Sequence, residues 1–319
     1  MKLSRRRFIE AIGMISVGAG GARAQSESSS RPSKAGSPPS EGVGGPDRKT
    51  TAKDAPAASR IRVAQIKVYP EKGQLSANHE KLMSVLGDVA KSENIDVVVT
   101  PECFLDGYVS TEKSVDREDM VKYAIDPRSS RYAQAVSDWA RENKVWFVFG
   151  CTRKAARPLV GAKHGIFNTA LIYDRGGSLV GTYDKLHLQT HDLKYTPGKH
   201  LRAYESDFGP FGVMICADRR WPETARTLTL QGARVIFNPT YGMHDDLNLC
   251  MMRTRSYENG IFIVFTHPGQ SLITDPGGAV VCNNEDAGQT YTVTEIDLSR
   301  AAANKGGHIV DRRPDVYKL

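Results

Sequence analysis

Across its 319 residues the chain holds little that would commit it to a metal, a nucleotide or a membrane. Its five cysteines, Cys103, Cys151, Cys216, Cys250 and Cys282, form no CxxC pair and no zinc-ligand set, and an odd count leaves at least one thiol without an internal partner. There is no GxGxxG or P-loop pattern and no cluster of His, Cys and Asp at metal spacing, so the sequence implies neither cofactor nor metal. The formal charge of +7 is unevenly placed: residues 1–60 carry 11 Lys/Arg against 5 Asp/Glu, leaving 32 against 31 for residues 61–319. A nucleic-acid binder carries its basic excess on the folded surface that meets the phosphates, so no such partner is implied. With 40% hydrophobic and 25% charged residues, the chain is not fibrous, collagen-like or wholly disordered.

Ser4-Arg5-Arg6-Arg7-Phe8-Ile9, a mildly apolar stretch and the small-x-small step Ala22-Arg23-Ala24 make residues 1–24 resemble a twin-arginine export signal. The apolar run at 11–17 falls far short of the roughly 20 residues that span a bilayer as a helix. The expectation is a protein that touches the membrane only during export and works in the periplasm. Residues 25–58, dominated by Ser, Pro, Gly, Ala and Lys, read as a disordered tether. A folded domain is expected over 59–300, followed by a tail at 301–319. Within the domain, residues 61–68 alternate as a strand does, 79–92 show helical spacing through Leu82, Val85 and Val89, and 95–100 form an apolar run suited to a strand buried on both sides. A second helix at 131–143 leads to a strand at 145–150. Two strands flank a turn at 175–178, and further apolar runs lie at 211–216, 235–238 and 261–266. The alternation predicts an α/β domain with one large, mostly buried sheet system and no internal repeat.

Three polar residues follow short apolar runs: Glu102, Lys185 and Cys216. Strand ends in α/β folds converge on a shared crevice, so residues distant in sequence can meet there. Taken alone, a Glu–Lys pair is more often a structural ion pair, and a Cys ending an apolar strand more often inert packing. Their surroundings add to this. Val99-Thr100-Pro101-Glu102, Tyr183-Asp184-Lys185-Leu186-His187 and Cys216-Ala217-Asp218-Arg219-Arg220-Trp221-Pro222-Glu223 resemble, in this order, the signatures of the nitrilase superfamily of carbon–nitrogen hydrolases. Asn168-Thr169-Ala170, Tyr195-Thr196-Pro197-Gly198, Asn238-Pro239 and Arg312-Arg313-Pro314-Asp315 extend the resemblance over nearly all of 60–319. It implies a four-layer α-β-β-α sandwich that assembles as a homodimer or larger homo-oligomer.

A free thiol is mostly protonated at neutral pH and an amide carbonyl is a poor electrophile, so both need activation. Glu102 is placed to take the thiol proton as Cys216 attacks, to return it to the leaving nitrogen, and to deprotonate the water that opens the thioester. Lys185 is expected to lower the thiol pKa and, with the backbone N–H of Ala217, to hold the oxyanion, one such donor being worth about 3–4 kcal/mol. Members of the superfamily carry a second glutamate ahead of the Pro-Gly step. Here that place falls on His191 or Asp192, and Asp192, the only acid in 189–199, is its expected substitute, the alternative being a solvated loop carboxylate.

The segment after Cys216 is similar to that of N-carbamoyl-D-amino-acid hydrolases, in which paired arginines hold the substrate carboxylate. Arg219 and Arg220 are the corresponding residues, and His187 also has a counterpart; Ala217 departs from the Asn of that subgroup. The alternative is that an arginine pairs with Asp218, Glu223 or Glu258 to brace the site. Asn238 and Thr240 are expected to line the pocket opposite Cys216. Cys103 reads as packing, and Cys151, Cys250 and Cys282 as core residues. The expected activity is hydrolysis of a linear amide or N-carbamoyl bond on a small carboxylate-bearing molecule. Acyl transfer from the same site, or a binding protein with a decayed site, are the alternatives.

Overall fold

The computed structural model describes residues 59–92, 94–156, 165–301 and 307–317; the expected leader and tether lie outside the described residues. The chain opens with β1 (Arg60–Ile66), whose alternation sends Ile61 and Val63 into one core and Ala64 and Ile66 into another. Helix α1 (Leu75–Val89) buries Leu82, Val85, Leu86 and Val89 and leads to β2 (Val97–Val99), buried at every residue. Helix α2 (Arg131–Asn143) connects to β3 (Trp146–Lys154), and a meander of β4 (Ile166–Tyr173) and β5 (Leu179–Asp184) follows. Strands β1, β2 and β3 pair in parallel, and β3, β4 and β5 antiparallel.

The second half repeats the plan: β6 (Phe211–Val213), α3 (Pro222–Leu230), β7 (Val235–Pro239), α4 (Asp246–Asn259) and β8 (Phe262–His267) alternate, then β9 (Gln270–Thr274) and β10 (Val280–Asn284) run antiparallel. Finally β11 (Tyr291–Asp297) returns to pair with β1, so the sheets are ordered β11-β1-β2-β3-β4-β5 and β10-β9-β8-β7-β6. A short helix α5 (Gly307–Val310) brings His308 against Tyr257 of α4.

The period of two along the strands generates the layers. Val63, Val97, Val148 and Ile172 of the first sheet meet Val213, Val235, Phe237 and Val264 of the second in one buried cluster. The opposite faces pack outward: Val98, Phe147 and Leu171 against α1 and α2, and Met214, Ile236 and Ile263 against α3 and α4. The architecture is the expected α-β-β-α sandwich. At about 1.5–3 kcal/mol for each fully buried aliphatic side chain, the inter-sheet layer and the outer helix-covered layers each contribute heavily to the stability of the fold.

Several expectations are corrected. The helix expected at 79–92 begins at Leu75 and ends at Val89, and the strand expected at 145–150 continues to Lys154 because the hairpin with β4 extends its pairing. Cys250 is exposed on α4 and Cys282 half-buried on the edge strand β10, so neither is a core residue, whereas Cys103 and Cys151 are.

Candidate active site

The C-terminal ends of β2, β5, β6 and β7 lead into the residues of interest. After β6, Ile215 is extended and Cys216 adopts φ 45°, the left-handed region a non-glycine residue occupies only when its surroundings enforce it. A 3-10 turn over Cys216–Arg220 follows. Asp218 enforces the turn: its Oδ2 accepts from the Ile215 N–H (3.0 Å) and the Tyr183 hydroxyl (2.7 Å), while its Oδ1 accepts from the His187 N–H (2.9 Å) and meets His187 Nδ1 at 2.8 Å. Arg255 of α4 donates to the carbonyls of Arg219 and Arg220, both at 3.1 Å.

Glu102 is fully buried where the chain leaves β2. Its Oε1 accepts from Lys185 Nζ (2.8 Å) and Asn168 Nδ2 (2.8 Å), and its Oε2 from the backbone N–H of Tyr241 (3.0 Å). Gly150 makes room for this segment, since a Cβ there would stand 2.2 Å from the Pro101 carbonyl. Lys185, also buried, donates to Asp192 Oδ2 at 2.6 Å as well. Asp192 is therefore not a solvated loop carboxylate: it is wholly buried, accepts from the Tyr108 hydroxyl at Oδ1 (2.7 Å), and caps its own 3-10 turn by accepting from the Gln189 N–H (3.3 Å).

Burial is the largest single influence on Lys185 and pushes its pKa down, but Glu102, Cys216 and Asp192 together push it up, and the net lies well above the ordinary lysine value. Lys185 is therefore an ammonium at neutral pH. For Cys216, burial pushes the thiol pKa up and the Glu102 charge adds to this; Lys185 and Arg219 oppose it, but the net direction is up. Lys185 lowers the thiol pKa in the expected direction, but not enough to bring it below the ordinary cysteine value. Its charge is answered by two carboxylates, and burial outweighs what remains, so the sulfur rests as a thiol.

A cavity of about 320 Å³ opens onto this cluster, lined by Tyr108, Lys185, Asp192, Cys216, Ala217, Arg219, Arg220, Tyr241 and Met243 among others. A hollow of about 560 Å³ around Asp246, Leu249 and Asn283 is lined by neither cysteine nor lysine. The two arginines differ. Arg219 is buried, with Nε on Asn248 Oδ1 (2.6 Å), Nη2 on the Met243 carbonyl (2.8 Å) and Nη1 3.5 Å from Cys216 Sγ. Arg220 is exposed and reaches Gln189 Oε1 at 3.1 Å. Among the described residues neither pairs with a carboxylate.

Three expected substrate contacts lie outside the cavity lining. His187 is held by Asp218 and stacks on Trp221 at 4.0 Å; Asn238 donates to the Met214 carbonyl (2.9 Å); Thr240 hydrogen-bonds Asn238 and accepts the Glu102 N–H (3.4 Å). They brace the site from behind, and from their segment it is Tyr241, Gly242 and Met243 that reach the cavity. Sequence reasoning missed Tyr108, which links Asp192, Lys185 (3.4 Å) and His191 (3.0 Å). Its only local trace is Gly107-Tyr108, two successive left-handed residues that fold the loop back.

With this geometry in place, comparison with known proteins is informative. The family model described as carbon–nitrogen hydrolase matches residues 60–305. A nitrilase of Pyrococcus abyssi is 28% identical over 279 residues, covering 81% of this chain and 99% of its own length. An N-carbamoylputrescine amidase of Arabidopsis thaliana is 28% identical over 189 residues, covering 48% of this chain and 63% of its own. Among solved structures, Saccharomyces cerevisiae Nit3, a member of branch 10 of the nitrilase superfamily, superposes with a TM-score of 0.66 at 24% identity, over 76% of this chain and 92% of its own.

Proposed function

This chain belongs to the carbon–nitrogen hydrolase family, and we propose that within it the protein cleaves a linear amide or N-carbamoyl bond of a small carboxylate-bearing molecule through a thioester on Cys216. One observation carries the reading: the Cys216 turn and the Lys185 ammonium face a single cavity, with Glu102 hydrogen-bonded to that lysine.

The mechanism follows from the resting charges. Because Cys216 rests as a thiol, attack is concerted with proton loss: the S–C bond forms while the thiol proton passes to Glu102. The carbonyl oxygen becomes an oxyanion held by Lys185 and the Ala217 N–H. Glu102 then returns the proton to nitrogen, the C–N bond breaks, and ammonia or an amine departs. Water, deprotonated by Glu102, attacks the thioester and releases the acid, and the sulfur recovers its proton. Asp192 and Tyr108 hold Lys185 in line with this path. Arg220, exposed at the cavity rim, is the partner for the substrate carboxylate, which its planar fork meets through two parallel bonds. No cofactor enters any step.

The test is a screen of linear amides, N-carbamoyl amino acids and nitriles that reads released ammonia, run on the parent and on Cys216→Ala. We expect turnover of a carboxylate-bearing amide or carbamoyl compound, abolished in a folded variant. Full-rate hydrolysis by Cys216→Ala overturns the proposal. The reading also proposes export through residues 1–24 to the periplasm and self-association, which cell fractionation and solution mass measurements check.

A further inference from the structure

The buried charges around the nucleophile do not balance on the Glu102–Lys185–Asp192 cluster alone. Lys185 is one ammonium held by two carboxylates, at 2.8 and 2.6 Å, and both acids are removed from solvent. Their sum is one negative charge, and the total stays so when the thiol proton passes to Glu102, because the charge that the carboxylate loses develops on the sulfur and then on the oxyanion. In a buried site that is the unfavourable sign. Tyr108 does not correct it, since burial and the neighbouring acids keep it a neutral phenol.

The missing positive charge is Arg219. It stands three residues beyond Cys216 on the same turn, is buried, and directs Nη1 at Cys216 Sγ from 3.5 Å. Its other contacts are neutral oxygens, the Asn248 side chain and the Met243 carbonyl, and among the described residues no carboxylate neutralises it. These neutral partners fix the guanidinium without using its charge. They also engage Nε and Nη2, two of the guanidinium's three nitrogens, whereas a bidentate carboxylate needs a free pair and Arg220 keeps an exposed end at the rim.

We propose that Arg219 is a further catalytic residue, the cationic hydrogen-bond donor to the Cys216 sulfur as its proton passes to Glu102, and that carboxylate recognition falls to Arg220 alone. This rests on the thioester reading above and divides between two residues a task expected of both. Among the described residues, the charged and titratable groups facing the sulfur or its cavity are Glu102 from the end of β2, Lys185 from the end of β5, Asp192 and His191 from the 3-10 turn after it, Tyr108 from the loop after Glu102, Tyr241 from the segment after β7, and Arg219 and Arg220 from the nucleophile's own turn.

The experiment's central readout needs no substrate, which separates it from the function test. The rate of Cys216 alkylation by iodoacetamide, in which the sulfur displaces iodide and gives up its proton, is followed against pH by peptide mass spectrometry, so that the exposed Cys250 does not interfere. Arg219→Met is expected to move the midpoint upward by about one pH unit or more, with the high-pH plateau unchanged. Arg219→Lys keeps a cation but draws it back from the sulfur, and should shift the midpoint less in the same direction. Arg220→Gln should leave the midpoint in place while raising KM for carboxylate-bearing substrates. An unmoved midpoint in Arg219→Met, or in Arg219→Lys should the first not fold by thermal melting, overturns the assignment. So does a selective rise in KM for carboxylate substrates in either Arg219 variant with the alkylation profile unchanged, since that marks a substrate anchor. Full-rate ammonia release by Cys216→Ala would overturn the function above while the alkylation midpoints still report on Arg219.

Discussion

Asp192→Asn isolates one charge in the cluster that aims Lys185. The substitution keeps the volume and one oxygen but removes the negative charge 2.6 Å from Lys185 Nζ. Asp192 also accepts from Tyr108 and from the Gln189 N–H, so every neighbour donates and the carboxylate answers with acceptors only. An asparagine must place its NH₂ against one of these donors. The lower-cost choice faces Tyr108, whose hydroxyl then turns its proton toward His191 Nε2, 3.0 Å away. A charge-assisted bond contributes about 1.5–3 kcal/mol and a neutral one about 0.5–1.5, so the expected loss of stability is about 1–2 kcal/mol. Lys185 then keeps Glu102 as its one charged partner and is drawn toward it. With about 1.4 kcal/mol per tenfold in rate, and with misplacements near 1 Å costing about a hundredfold, kcat should fall roughly ten- to a hundredfold while KM moves little. Urea unfolding gives the first number and ammonia release the second. The pH dependence has a definite sign: the Lys185 pKa is raised in the fold, so its contribution is complete below the unfolded lysine value near 10.4 and is lost only as pH rises through the folded value. The stability deficit of Asp192→Asn should therefore be level from about pH 6 to 9. A kcat within twofold of the parent would refute the view that Asp192 aims Lys185.

Gly150→Ala would drive a Cβ to 2.2 Å from the Pro101 carbonyl and 3.0 Å from the Cys103 nitrogen, so the backbone carrying Glu102 must shift; we expect about 1–3 kcal/mol of destabilisation with a disproportionate loss of kcat, read by thermal melting and by turnover. His267 accepts the Gly269 N–H at Nδ1 (3.0 Å) and so donates from Nε2 to the Tyr241 carbonyl (2.7 Å); burial, with His244 adding to it, brings its pKa down to about 4. A histidine with a lowered folded pKa contributes stability above its unfolded value of about 6.5 that is lost as pH falls toward about 4, here on the order of 3 kcal/mol. His267→Gln, which keeps the donor to Tyr241, should flatten that acid loss in urea titrations at a constant cost of about 1 kcal/mol. An unchanged acid profile would exclude His267 as its source.

What the sequence made legible was whatever repeats with a short period or sits next to a strand end. The alternation in 61–66 and the apolar runs of β2, β7 and β8 announce buried strands, and Glu102, Lys185 and Cys216 lie just beyond such runs. The boundaries of α1 were not legible: Leu75 and Asn78 join it through contacts made elsewhere, Asn78 reaching the carbonyls of Glu71 and Leu105. Asp192 was half legible, its position counted from Pro197-Gly198, but its partner Tyr108 lies 84 residues away and no periodicity links the two. The opposite error occurred at Asn238 and Thr240, which adjoin a strand end yet turn toward Met214 and Glu102 rather than the cavity. Adjacency to a strand end places a residue at the crevice but leaves its direction open. Direction is set by partners across the sandwich.

Those partners follow a pattern. Glu102 leaves the first sheet, but Thr240 and Tyr241, beyond β7 of the second, fix its backbone N–H and its Oε2. Cys216 leaves the second sheet, but its strained turn is closed by Asp218, which the first sheet's Tyr183 and the adjoining His187 hold. Gln65 of β1 adds a direct link, donating to the carbonyl of Phe265 in β8 at 2.7 Å. Each half of the molecule therefore braces the reactive group of the other. Neither βαβαβ unit presents a competent base or nucleophile alone, because the φ of Cys216 and the orientation of Glu102 both depend on bonds across the inter-sheet layer. The hydrophobic contact among Val63, Val148, Val213 and Phe237 is accordingly more than a source of stability. On the proposed mechanism it sets the spacing between the Cys216 sulfur and the Glu102 carboxylate, so a change in the packing of that layer should lower turnover before it lowers the melting point.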